Sequence, residues 1–160
     1  MGRIKNNMDS FEIEMKLDEA RYYHNILENE KKAIKICDEI LKINKNNRDA
    51  LLIKAGSLPY IGKEKEAFEL TNKIIEMWPG HWEGHYLLGL LYFNVNENMA
   101  IRVFKKSISL KEKFDNLIAL AQLLYFLEDI NYKAYLIRAK KLEPDRFENY
   151  MKNYWEWEIC

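Results

Sequence analysis

Cysteine is scarce: the chain has two in 160 residues, Cys37 and Cys160, which is no disulfide framework. Cys37 falls on the inward face of an expected helix and reads as a small core hydrophobe. A chain without disulfides fits a reducing cytoplasm, the compartment expected here. Three prolines and six glycines exclude collagen-like and low-complexity chains. Neither sign of charge is in excess, with 25 basic against 25 acidic residues. That removes the basic surplus with which a nucleic-acid binder neutralises phosphates. No apolar run approaches the roughly 18 residues of a membrane span. Residues 1–7 are basic but no apolar region follows them, so no signal peptide is expected. Glycine-rich phosphate loops and nucleophile elbows are missing. Ser57, Ser107 and Ser109 have no identifiable base. The expectation is a non-enzyme without a cofactor.

What is present is helical periodicity. The length suits one domain, burying roughly 70% of the unfolded surface. Residues 50–79 show the pattern most clearly. Leu51, Ala55 and Leu58 share one helical face, Gly62 tolerates the positive φ at which a helix stops, and Ala67, Thr71 and Ile74 open a second face. Pro79 ends that second helix, and Pro59 should kink or end the first. Upstream, Asp9 and Glu12 form a capping-box pattern for a helix running to about Glu28, with Leu17, Ala20 and His24 inward. A second helix starts at Glu30, with Ala33, Cys37 and Ile40 inward, and the polar run 44–47 ends it.

The same faces recur. Ala33, Ala67 and Ala100 are about one period apart, as are Cys37, Thr71 and Phe104, and then Ile40, Ile74 and Ser107. Lys45, Pro79 and Glu112 follow, and a slightly offset fourth copy gives Tyr132, Leu136, Ala139 and Pro144. A helix–turn–helix period of about 34 residues means a solenoid.

The residues carry a resemblance. The third unit reads His85-x2-Leu88-Gly89-x2-Tyr92, then Ala100-x3-Phe104. The second reads Leu51-x2-Lys54-Ala55-x2-Leu58, Ala67-x3-Thr71 and Pro79; the fourth, Ile118-x2-Ala121-Gln122-x2-Tyr125, ending at Pro144. The first is weakest: Leu17-x2-Ala20-Arg21-x2-His24, then Ala33-x3-Cys37. Over about residues 14–144 the chain resembles the tetratricopeptide repeat family. Arg21 and Gln122 stand where that pattern wants a small residue, and Lys45 and Glu112 where it wants proline.

The resemblance implies an all-α, right-handed superhelical solenoid of about four hairpins, closed by a capping helix. The units would be approximately 14–47, 48–81, 82–114 and 115–144, within a repeat domain at 9–144 behind an N-terminal arm at 1–8. The remaining residues, 145–160, would form an aromatic helix from Arg146 to about Glu158. Its stripe of Phe147, Tyr150, Met151, Tyr154 and Trp157 suits covering the last repeat. Trp155 lies off that stripe.

By the same resemblance, the first helix of each unit lines a concave groove. The partner-binding candidates are Tyr22, Leu52, Gly56, Tyr86, Leu90, Phe93, Leu123 and Phe126, with Asn116 and Ala119 on the same register. The groove positions contain no lysine or arginine, so a carboxylate clamp is not expected. An apolar groove suits an amphipathic helix or an extended apolar segment of another protein. The expected function is therefore an adaptor, scaffold or co-chaperone, with neither nucleic acid nor membrane as partner. The alternative is self-assembly, as a homodimer, through Tyr154, Trp155 and Trp157 or through the groove; the termini could also fill the groove from within. His81 and His85, four apart, could face one metal ion, but further ligands are not evident and no metal is expected.

Overall fold

A computed structural model describes residues 8–154. These residues form α-helices and one 3₁₀ segment, and the chain divides into two compact units between Pro79 and Gly80. Among the described residues no helix is long and apolar enough to cross a membrane.

The first unit contains α1 (Ser10–Asn25), α2 (Glu30–Ile43), α3 (Arg48–Ser57), a 3₁₀ turn at Leu58–Ile61 and α4 (Glu64–Met77). Three of its helices start on a side chain that accepts a free backbone N–H: Asp9 from Glu12 at 2.8 Å, Asn29 from Lys32 at 3.2 Å and Asn47 from Ala50 at 2.9 Å. Such caps satisfy donors that the helix itself leaves unpaired. α1 stops at Asn25 rather than at the expected Glu28, because Glu28 adopts a positive φ of 48° and Asn29 already caps α2. Pro59 ends α3 as expected, and the chain tightens into the 3₁₀ turn until Gly62, at φ 74°, reverses it.

The first core gathers Leu17 and Ala20 from α1, Ala33, Ile36, Cys37 and Ile40 from α2, and Ala50 and Ile53 from α3. Each large apolar side chain fully buried here contributes about 1.5–3 kcal/mol, against about 1 kcal/mol for a typical cap. Arg21, placed where the repeat wants a small residue, keeps its head at the surface and binds Asp49 of α3 at 2.9 Å and Asp18 at 2.8 Å. It ties two hairpins by charge instead of by close approach.

The second unit contains α5 (Trp82–Tyr92), α6 (Glu97–Leu110), α7 (Phe114–Phe126), α8 (Tyr132–Leu142) and α9 (Pro144–Tyr154). α9 ends at the edge of the described residues; Trp155 and Trp157 lie outside them, as does Cys160. Phe104, Leu120 and Leu123 fill the core between α6 and α7, and Phe114, Leu117, Ile118 and Ala139 fill that between α7 and α8. Phe147 and Tyr150 of α9 pack against this second cluster, the covering role expected of that helix.

A buried polar chain fixes the order of α5, α6 and α7. Asn116, fully buried, donates to Ser107 Oγ at 3.1 Å and to the Lys111 carbonyl at 2.9 Å. Its Oδ1 accepts the Lys113 N–H at 3.0 Å, and Ser107 donates its own proton to the Trp82 carbonyl at 3.0 Å. The bond between Asn116 and Ser107 is buried and the others are partly so, which makes the chain costly to break.

Candidate functional site

Among the described residues, each unit exposes an apolar surface. In the first unit Phe11, Met15 and Tyr22 of α1 are 72%, 59% and 51% exposed. Steps of four and seven residues place them on one stripe of the helix, opposite the inward Leu17 and Ala20. Leu52 and Gly56 of α3 are half-buried. Met15 and Tyr22 both fall on the groove register expected from the resemblance, whereas Phe11 does not.

In the second unit Leu90 and Phe126 are exposed, Phe126 to 70%. Phe93 meets Phe126 edge to face, with ring centroids 6.2 Å apart. These rings form an aromatic step at the ends of α5 and α7. Beside it an open cleft of about 360 Å³ runs between α5, α7 and α9. Tyr86, Leu90 and Ile118 give it an apolar side; Gln122, Asn149 and Asn153 add amides. The cation in its lining, Arg146, is occupied: the guanidinium binds Asp115 and Glu143 and lies 4.3 Å over the Phe114 ring. Burial works against that charge, yet the carboxylates outweigh it and hold the group above its ordinary pKa. Gln122, which departs from the small-residue pattern, thus lines a cleft.

Other groove candidates are corrected. Leu123 is 2% exposed in the α6–α7 core and Asn116 is fully buried, whereas Ala119, though nearly buried, lines the cleft. α7 is apolar nearly all round because α6, α8 and the cleft wall of α9 leave it little free surface. Tyr86 is half-buried between Trp82 and Phe104, at 5.8 Å and 6.2 Å between centroids, so it supports the core as well as the cleft. Of Tyr154 the structure gives only the backbone, at the end of α9.

Sequence reading found no base for Ser57; the fold supplies one from a distance. His24 Nδ1 lies 2.8 Å from Glu30 Oε2 and 3.1 Å from Ser57 Oγ. One ring nitrogen serves both groups, so the ring cannot relay a proton from serine on one side to carboxylate on the other. Ser57 is fully buried and Glu30 nearly so. The trio cross-links α1, α2 and α3. His81 caps the start of α5, 3.8 Å from Glu83 Oε2.

Neither a family model nor a curated protein matches the sequence. Solved structures do match the fold. TTC0263, a thermophilic TPR protein in Thermus thermophilus, is 17% identical with a TM-score of 0.74, over 82% of this chain and 75% of that one. MamA from residue 41 to the end, from Desulfovibrio magneticus RS-1, is 21% identical with a TM-score of 0.63, over 83% and 76%. A chain of Naa15/Naa10 bound to HypK-THB is 26% identical with a TM-score of 0.68; the match spans 83% of this chain and 20% of that one. The repeated motif and these likenesses agree on the fold: the chain has the all-α helical-repeat fold of tetratricopeptide-repeat proteins.

Proposed function

We propose that the chain is a non-catalytic protein-binding module, an adaptor or scaffold that holds an apolar segment of another protein. The observation that supports this reading best is the uncovered aromatic step of Phe93 and Phe126 beside Leu90 and the neighbouring cleft. The half-buried Phe93 joins the exposed Phe126 and Leu90 into a contiguous apolar patch, the kind of surface that marks an interaction site, and aromatic rings anchor a partner at small entropy cost. Tyr86 forms the wall of this site, while Tyr22, Leu52 and Gly56 belong to the corresponding surface of the first unit. Naa15/Naa10 is a fold neighbour described as bound to HypK-THB, and protein partners fit here by analogy.

Capture from a native lysate tests the reading, with wild type compared against Leu90→Ser/Phe126→Ser. Both changed side chains are exposed, so helicity should be retained in circular dichroism. Proteins held by wild type and released by the variant would support it. Equal retention by both would remove this surface from the account, and capture only of further copies of the chain would favour self-assembly.

A further inference from the structure

We propose a second binding site, remote in sequence from the aromatic step and independent of it: a lysine-rimmed cleft on the α1–α2 hairpin that takes an acidic peptide segment. The cleft has a volume of about 470 Å³ and is lined by Lys16, Lys31, Lys32 and Lys35 together with Glu19 and Glu39. Four ammonium groups against two carboxylates leave two positive charges in excess. Lys16 is held by Glu39 at 2.7 Å, and Lys32 lies over the Tyr23 ring and donates to its hydroxyl. Among the described residues, Lys31 and Lys35 form no ion pair. They are the excess.

Their placement works against the helix that carries them. Lys31 and Lys35 are one turn apart on α2, where like charges repel. Lys31 and Lys32 lie in the first turn beside Glu30, at the end where the helix dipole favours anions. A bound carboxylate would relieve the repulsion and the dipole conflict together. Two carboxylates about a turn apart would reach Lys31 and Lys35, whose nearest lining carboxylate, Glu39, is already held by Lys16, and Ile36 adds an apolar part to the lining.

A peptide suits the site better than a nucleic acid. Two excess charges fall short of the several phosphates that a nucleic-acid binder neutralises, and the nearby ring of Tyr23 is covered by Lys32.

The test is binding of a labelled, end-capped hexaglutamate peptide at low salt, read by fluorescence anisotropy, with hexaglutamine as control. Wild type should bind hexaglutamate saturably, and added salt should weaken it. Lys31→Glu/Lys35→Glu should bind at least about ten-fold more weakly while keeping its helicity in circular dichroism, since both changes are at exposed positions. Leu90→Ser/Phe126→Ser should leave this binding unchanged, so each site can fail alone. The proposal is overturned if hexaglutamine binds equally, if the charge-reversed variant binds like wild type, or if oligothymidylate of equal charge binds more tightly to the same lysines.

Discussion

The ring of Phe104 occupies the space that a side chain on Gly89 would need: a Cβ at Gly89 would lie 2.4 Å from Phe104 Cε1 and 2.5 Å from Cδ1. Phe104 is fully buried and cannot turn outward. Gly89→Ala should therefore destabilise the protein, although alanine is the better helix former. Overpacking costs about 1–3 kcal/mol and helix propensity returns about 1. Three ring carbons within 2.8 Å of the added Cβ put the overpacking at the upper end of that range, so a net loss of about 1–2 kcal/mol is expected in urea unfolding, and Phe104→Leu in the same chain should recover part of it. A variant as stable as wild type would show that α5 and α6 are less closely packed than described.

Asn116 supports two helices and a turn through its three bonds to Ser107, Lys111 and Lys113. Asn116→Ala should cost about 2–3 kcal/mol, since it leaves buried donors and acceptors without partners. The exposed Asn46 serves as the comparison, where alanine should change stability by less than about 0.5 kcal/mol. Equal effects at the two positions would contradict the network.

Cys37 should resist alkylation in the native protein. Burial first, then the charge of Asp38, pushes its thiol up to about 12, so the reactive thiolate is scarce at neutral pH. Peptide mapping after iodoacetamide should find Cys37 unmodified in the folded chain and modified in urea. Rapid native labelling at Cys37 would place it outside the core.

Glu112, where the repeat pattern has proline, is bound by Arg138 of α8 at 2.6 Å and 3.3 Å. That hydrogen bond, opposed by burial and assisted by the guanidinium charge, holds the carboxyl below its ordinary value. A depressed carboxyl stabilises the fold above the unfolded value, and the contribution disappears as pH falls through the folded one. Both side chains are partly exposed, so it is worth less than about 1 kcal/mol. Glu112→Gln should lower the melting temperature slightly near pH 7 and not near about pH 3. An equal loss at both pH values would assign Glu112 a packing role instead.

Much of the fold was legible in local spacing. Asp9, Pro59 and Gly62 act through neighbours within four residues, and the small residues at Ala33, Ala67 and Ala100 repeat the same buried position. The polar networks were not legible, because His24 meets Ser57 across 33 residues and Asn116 meets Ser107 only once α6 and α7 are packed. The groove register falls on exposed side chains at Leu90 and Phe126 and on a buried one at Leu123. A sign of that burial was present in the apolar run Leu117–Leu124, interrupted only by Gln122, since a helix apolar all round is buried rather than half-exposed.

The most direct test of the central claim is selection of twelve-residue peptides from a random library on wild type and on Leu90→Ser/Phe126→Ser. The account predicts enrichment of apolar sequences on wild type and at least about a ten-fold loss of their affinity in the folded variant. Enriched apolar peptides that bind both proteins equally, or no apolar enrichment on wild type, would contradict it.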